Sequence, residues 1–406
     1  MQEYVCQLRK KANRKPIKIW LESASDIEAG CLEQAKEVAR LPFVFKWLAL
    51  MPDTHFGKGM PIGGVLATKD VIVPYAVGMD IGCGMCFIET NILARDVREI
   101  MPQLVQTTLK KIPVGKGKHS EKQISEQLDG AEKMTFYEAL PNVRETIEYA
   151  YYQIGTLGGG NHFIEFQEDE KGYLCIMLHS GSRHLGAAIC THFDKIAQEA
   201  NQKWYSNLSA ENALSFLSID SEEGRAYIEW MNFALDYAYL NRETMLNRTM
   251  EITREIVQRE LNQTVEFKGR INCHHNYASL ETHYDEQVYV HRKGATSAKN
   301  GELGIIPGAM GSKSYITMGL GSKESFHSSS HGAGRNYSRT RAKANFPAKE
   351  VLADLENQQV TLGKTNLKDV AEESRYAYKD IDQVMQNQKD LVTIVKTLHT
   401  LGVIKG

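Results

Sequence analysis

Histidine, cysteine and aspartate recur in this chain beside glycine or small polar residues. The segments are Val77-Gly-Met-Asp80-Ile-Gly-Cys83-Gly84, Gly158-Gly-Gly-Asn161-His162, Leu178-His179-Ser-Gly-Ser-Arg183, Cys273-His-His275-Asn276 and Ser330-His331-Gly-Ala-Gly334-Arg335. Glycine lets a backbone approach a ligand closely or adopt positive φ, so such residues belong on loops that surround something bound. Asp80 and Cys83 are three apart, and a carboxylate with a thiolate at that spacing reaches one metal ion or bridges two. A buried structural cysteine satisfies the same segment taken alone. Cys86 completes a Cys-x-x-Cys, but no second such pair exists, and we assign it to the core. His162, His179 and His275 are flanked by polar or small residues rather than set on an apolar stripe. Any one of them is more often a satisfied core histidine; three together with Asp80 and Cys83 favour a metal site. His274 and His275 are adjacent, so on a strand they point to opposite faces and only one of them ligates.

Ser328-Ser-Ser-His331-Gly-Ala-Gly-Arg335 combines an imidazole, open backbone N–H groups and a guanidinium, a set suited to phosphate. An unprotonated imidazole can attack phosphorus and form a phosphoramidate when a cation offsets the oxyanions. It can equally donate to a phosphate without reacting, and spacing does not separate the two roles. Pro307-Gly308-Ala309-Met310-Gly311-Ser-Lys-Ser314 resembles a phosphate cradle without Walker spacing. There is no Walker A lysine, no His-Glu-x-x-His and no Lys-x-Asp-Gly. Arg335, Arg339, Arg341 and Lys343, and separately Arg292, Lys293 and Lys299, form basic clusters that can track a nucleic-acid backbone, although solvated faces look the same.

The elements that must carry these residues are legible in outline. Helical spacing covers 25–41, 92–111 and 121–153, with a lysine-rich surface loop at 113–122, and the longest helical pattern runs over 221–262 with Trp230, Phe233, Ala234, Tyr237, Leu240 and Met245 as its apolar stripe. Strands are expected at 48–51, 64–73, 86–90 and 288–291. Residues 162–166 and 173–178 flank a polar turn at 168–172 as a hairpin that brings His162 and His179 to one end. A final amphipathic helix is expected over 380–399.

The 406 residues exceed the usual size of one core, yet the suspected ligands run from Asp80 to His331 and must converge. One large interwoven domain over residues 1–406 follows, with no repeat or linker to divide it. A formal charge of −2 gives no global basic field, so any nucleic acid is held by a local patch. Seven scattered cysteines fit a reducing compartment. The N-terminus, with Arg9, Lys10 and Lys11, lacks the apolar region of a signal peptide, and no run reaches membrane-spanning length, which together predict a cytoplasmic protein without membrane contact.

Several segments resemble, in the same order along the chain, the RtcB-type RNA-splicing ligases. They are Met51-Pro-Asp-Thr-His-Phe-Gly-Lys-Gly59, Val77–Gly84, Gly155-Thr-Leu-Gly-Gly-Gly-Asn-His-Phe-Ile-Glu165, His179–Arg183, His291-Arg-Lys-Gly-Ala295, Pro307–Met310, His331–Arg335 and Ala377-Tyr-Lys-Asp380, and the likeness runs from about Lys18 to Gly406. The resemblance implies an α+β fold with mixed and antiparallel sheets flanked by helices. It implies a GTP-dependent enzyme with two Mn²⁺ ions that joins RNA ending in 2′,3′-cyclic phosphate or 3′-phosphate to RNA beginning with 5′-hydroxyl, in RNA repair or tRNA splicing, with an archease-type activator among its candidate partners. By position Cys83 bridges the ions, with Asp80 and His162 in one shell and His179 and His275 in the other. His331 becomes guanylylated. Asn161, Glu165, Asn276, Ser314, Tyr378 and Lys405 match guanylate-contacting positions, and His162, Phe163, Ile164, His275, Pro307, Gly308, Ala309, Met310, His331, Gly332, Ala333 and Gly334 complete the expected nucleotide site. Asp53 and Arg183 match residues near the reacting ends. Manganese does not follow from the ligand set, because this donor mixture binds Zn²⁺ more tightly.

Where the family often has glycine after Ser-Arg this chain has His184, and Thr54 replaces a usual aliphatic. Two other readings stand beside the ligase. One is a di-metal phosphoesterase acting on cyclic-phosphate RNA ends, the other a non-catalytic RNA-end binding protein.

Overall fold

The computed structural model describes residues 4–5, 14–204 and 212–406; Cys6 and the basic stretch from Arg9 to Lys11 lie outside them. Two large sheets organise these residues. The six-stranded sheet has the order Tyr4–Val5, Ile17–Ile19, Val44–His55, Ile62–Thr68, Glu286–Lys293, Asn276–His283. The eight-stranded sheet has the order Phe267–His274, Gly84–Leu93, Tyr173–Ser180, Phe163–Asp169, Val392–Lys405, Ser314–Gly319, Leu303–Ile306, and Thr361–Gly363 adds to Val392–Lys405 in parallel. Its two ends approach each other at Cys273 and Ile305, so the sheet is nearly closed.

The chain alternates between the sheets, and the junctions carry chemistry. The strand Val44–His55 belongs to the first sheet and Gly84–Leu93 to the second, with the Asp80–Cys83 loop between them. His275 is the single residue between Phe267–His274 of one sheet and Asn276–His283 of the other. The expected hairpin forms as Phe163–Asp169 and Tyr173–Ser180, with Phe163 opposite His179. The central strands are covered on both faces: Ile164, Phe166, Ile176, Leu178 and Ile404 pack with Met245 and Leu246 in one core, and Phe163, Cys175, Met177 and Val403 face another.

Glu222–Leu261 is a helix of 40 residues, capped by the Ser221 hydroxyl on the Gly224 N–H and ended by Asn262 at φ +51. Its buried face differs from expectation at one turn. Leu240 is half-buried, whereas Asn241 and Arg242 are fully buried. The reason is tertiary: the polar pair faces site loops rather than apolar side chains.

The expected helix over 380–399 is a short helix, Ile381–Asn387, followed by the strand Val392–Lys405. Ile381, Val384 and Met385 have helical spacing and are buried. Beyond Gln388 the sequence Val-Thr-Ile-Val-Lys-Thr-Leu is rich in β-branched residues, and Phe163–Asp169 and Ser314–Gly319 pair with it on either side. The helical reading of 92–111 resolves into Ala94–Val97 and Met101–Lys111, and that of 121–153 into Glu126–Asp129, Pro141–Ala150 and intervening 3₁₀ turns. The strand expected at 64–73 is two, Ile62–Thr68 and Val71–Ile72, because Asp70 turns the chain at φ +59. Among the described residues no helix is long and apolar enough to cross a membrane.

Candidate active site

One cavity of about 560 Å³ opens between the sheets, and Asp80, Cys83, His179, His275 and His331 all reach it. Five groups, Asp80, Cys83, His162, His179 and His275, converge beside it. His162 Nδ1 lies 2.8 Å from the Leu157 carbonyl and His179 Nδ1 3.2 Å from the Asn161 carbonyl. A carbonyl only accepts, so both rings carry their proton on Nδ1 and present an unprotonated Nε2. Those nitrogens face other acceptors. Cys83 Sγ is 3.1 Å from His179 Nε2 and 3.5 Å from His162 Nε2, and His179 Nε2 is 3.2 Å from His275 Nε2. His162 Nε2 is also 3.2 Å from Asp80 Oδ2, while Asp80 Oδ1 and His275 Nδ1 are buried with no partner.

A single thiol proton cannot serve so many lone pairs, whereas divalent cations can. Burial, then neighbouring imidazoles, push His179 and His275 well below the ordinary histidine range, which keeps them neutral as metal ligation requires. Burial, then the Asp80 charge, push the Cys83 thiol well up, and a cation on sulfur would reverse that. The donor set therefore fits a thiolate- and imidazole-bound metal centre. A second group, Glu281, His283 and His327, differs: both Glu281 oxygens are engaged by Arg292, at 2.5 and 3.2 Å, and His283 bonds Oε2 at 3.0 Å. That is a closed ion-pair network.

His331 stands on the wall beside the cluster, its ring 4.7 Å from that of His275. The fully buried Asp53 accepts from His331 Nδ1 at 2.6 Å and from its backbone N–H at 3.2 Å. The imidazole thus carries its proton on Nδ1, leaving Nε2 as a nucleophile. Lys379 fixes Asp53 by donating to the carbonyls on either side of it, Pro52 at 3.0 Å and Thr54 at 2.6 Å. Gly334 has φ +74 and lies so close to the Asp53 carbonyl that a Cβ would overlap it.

The cavity is also lined by Phe163, Glu165, Pro307, Gly308, Ala309, Met310, Tyr378 and Lys405, together with Asn161, Asn276, Gly332, Ala333 and Gly334. Burial pushes the Glu165 carboxyl up to about 7, against the lowering effect of Gln167, Lys405 and Thr400. Ser314 sits beneath the Pro307–Met310 turn and accepts from the Gly308 N–H at 3.2 Å. Lys405 and Tyr378 meet on Glu373, at 3.2 and 2.6 Å, and Arg335 joins them at 3.1 Å. Asn276 donates to the Asp80 carbonyl at 3.0 Å and accepts from Gly294 N–H at 2.8 Å, tying the metal-side loop to the second sheet junction.

Not every expected residue faces the cavity. Ile164 is fully buried in the core, leaving its backbone alone on the strand. Arg183 lies behind Asp80 at φ +58, donating to Thr156 Oγ1 at 3.3 Å and the Gly115 carbonyl at 3.2 Å. His184 is exposed beside Gln153 and Tyr149, and buried Thr54 donates to the Ile62 carbonyl. His274 turns away from the cluster to Arg242, as the strand alternation requires. Sequence reasoning missed Glu373, Asn241 and Arg242. Asn241 bonds the backbone of Gly155, Thr156 and Gly181, and Arg242 donates to the Gly82 carbonyl at 2.6 Å and the Ser180 carbonyl at 3.1 Å. Their signal was present as two polar residues inside a buried helical stripe. Glu373 sits in a 3₁₀ segment, where periodicity has nothing to report.

A sequence model of the family described as tRNA-splicing ligase RtcB matches residues 34–406. The chain is 39% identical over 405 residues to RNA-splicing ligase RtcB of Escherichia coli (strain K12), an alignment covering 96% of this chain and 97% of that protein. It is 32% identical to tRNA-splicing ligase RtcB of Thermococcus kodakarensis, covering 92% and 91%. It is 31% identical to RNA-splicing ligase RtcB homolog 1 of Entamoeba histolytica, covering 93% and 84%. Matches of this extent, over a chain whose metal-type cluster and buried histidine pocket come from those same motifs, show that it belongs to the RtcB family of RNA ligases.

Proposed function

We propose that this RNA ligase uses GTP and two Mn²⁺ ions to join RNA 2′,3′-cyclic phosphate or 3′-phosphate ends to 5′-hydroxyl ends through a guanylylated His331. The observation that carries the reading is the Asp53–His331 pair, a buried carboxylate holding Nδ1 while Nε2 is left bare between the cation-type cluster and a nucleotide-sized cavity. A non-catalytic RNA-end binder has no use for a nucleophile so prepared, and a metal-dependent phosphoesterase would leave no nucleotide on it.

Asp80, Cys83, His162, His179 and His275 would hold the ions, which when bound neutralise phosphate charge as Lewis acids. The chain's own groups do the rest. His331 Nε2 attacks the α-phosphorus, an N–P bond forms, and the bond to pyrophosphate breaks. Asp53 keeps the Nδ1 proton in place and offsets the positive charge that develops on the ring. An oxygen of the RNA 3′-phosphate then attacks the same phosphorus and displaces Nε2, giving RNA capped by GMP through a pyrophosphate. The 5′-hydroxyl attacks the RNA-side phosphorus and GMP departs; a cyclic phosphate is first opened by water. Glu165 supports guanine as the base, since a carboxylate accepts from N1–H and the 2-amino group, whereas adenine offers an acceptor at N1. Lys58, Arg339 and Arg341 at the cavity wall suit RNA phosphates. The interleaving of the two sheets supports residues 1–406 as a single catalytic domain.

The test is incubation with α-labelled GTP and Mn²⁺, followed by denaturation. A label retained on the wild-type chain and lost in His331→Ala is the expected result, and an unlabelled wild type overturns the reading.

A further inference from the structure

The joining step needs a group to take the proton of the 5′-hydroxyl, and the bases already placed have other commitments. Asp53 is bound to His331, the lone pairs of His179 and His275 are aimed into the metal-type cluster, and Glu373 is tied to Lys405 and Tyr378. Lys293, also on the cavity wall, donates to the Lys58 and Tyr75 carbonyls. His55 remains. It ends the strand Val44–His55, two residues from Asp53, so both side chains turn to the His331 side. Its Nδ1 lies 2.9 Å from the Asp53 carbonyl, which fixes the proton there and leaves Nε2 bare on the cavity wall, without a hydrogen-bond partner among the described residues. Adjacent same-face positions on a strand are roughly 6–7 Å apart, so His55 stands about that far along the strand from the Asp53 that holds the nucleophile.

We propose that His55 is the general base of the joining step. Its Nε2 accepts the proton of the RNA 5′-hydroxyl as that oxygen attacks the RNA-side phosphorus of the activated 3′ end; the O–P bond forms, the P–O bond to GMP breaks, and GMP leaves with the electron pair. The imidazolium then releases its proton to water. The proposal rests on the guanylylation reading above. Burial holds the free His55 ring at about 4, with His331 and Lys379 lowering and the Asp53 carbonyl and charge raising it. Glu28 and Lys58 also share the cavity wall, and a bound pyrophosphate linkage adds negative charge that favours the imidazolium and so strengthens His55 as a base.

The experiment supplies a 3′ strand already capped with GMP together with a 5′-hydroxyl strand, and compares wild type, His55→Ala and His55→Asn. Joining of the pre-activated strand should fall about 10²–10⁴-fold in both variants, with formation of the labelled His331 adduct reduced far less. The acid limb of the wild-type joining rate should be absent in His55→Ala, and added imidazole should restore part of its rate. Joining at the wild-type rate, or equal loss of adduct formation and joining in both variants, overturns the assignment of His55. A wild-type enzyme that forms no adduct overturns the underlying reading instead.

Discussion

At the scale of single residues, the site is governed by where protons cannot go. Cys83 lies within 3.5 Å of two unprotonated imidazole nitrogens, so its replacement removes the one donor shared by both halves of the cluster. Cys83→Ala should lose bound metal, read by elemental analysis, together with the labelled adduct; an active variant retaining two ions would contradict the bridging role. Asp53→Asn keeps the size of the side chain but can turn its amide toward Nδ1, favouring the tautomer with the proton on Nε2. Adduct formation should fall about 10²–10⁴-fold while metal content is unchanged. Glu165 carries a pH effect of defined sign. Its folded value of about 7 exceeds the 4.5 of a free carboxyl, so the fold binds the extra proton and loses stability as pH rises from about 4.5 through about 7. Glu165→Gln stays neutral, and it should be more stable than wild type at pH 8 by on the order of 2 kcal/mol, with little difference near pH 4.5, as measured by denaturant unfolding.

At the scale of elements, the hairpin and the long helix set the distances. Pairing Phe163 with His179 places His162 and His179 at one hairpin end with their rings 5.1 Å apart, and slipping the register by one residue would turn His179 to the other face. Glu222–Leu261 holds the loops from behind: Arg242 reaches both the Asp80–Cys83 loop, through the Gly82 carbonyl, and the end of the hairpin, through Ser180. Gly82, at φ +76, packs so closely on that helix that a Cβ would lie 2.8 Å from the Ala238 methyl. Arg242→Met takes the guanidinium away from both buried carbonyls, leaving His274 Nδ1 as the remaining side-chain neighbour of the Gly82 carbonyl, and unfolding free energy should drop by about 1–3 kcal/mol. Metal affinity should fall with it, whereas a stable variant with unaltered metal binding would show that the helix is scaffold alone. Gly334→Ala acts on the other wall, pushing on the Asp53 backbone; it should abolish the His331 adduct while metal content stays at the wild-type level.

At the scale of the whole molecule, the cluster exists only because two sheets share their junctions. Asp80 and Cys83 come from one crossing between sheets and His275 from another, so the unfolded chain has no comparable site. Binding to the folded state alone adds stability, about 2.7 kcal/mol at a metal concentration one hundred times Kd. Thermal unfolding with and without Mn²⁺ should show this increase in wild type and not in Cys83→Ala. An equal shift in both proteins would place the stabilising ion elsewhere.

How much of this was legible beforehand depended on whether the information was local. Glycine-flanked His, Cys and Asp side chains, the hairpin with its polar turn, and the 40-residue helix rest on chemistry and periodicity within short windows, and all three were readable there. Val392–Lys405 was beyond its reach, since neighbouring strands on both sides stabilise an extended form of a segment that also has helical character. The burial of Asn241 and Arg242 was likewise decided by loops far away in the chain. The tertiary structure alone showed that Asp53, remote in sequence from His331, is the carboxylate on its Nδ1, and that His55 stands beside it with a bare nitrogen. Types of reactive group are properties of residues, but the direction of a lone pair depends on which acceptor lies against the other side of the ring, and only the folded chain brings that acceptor there.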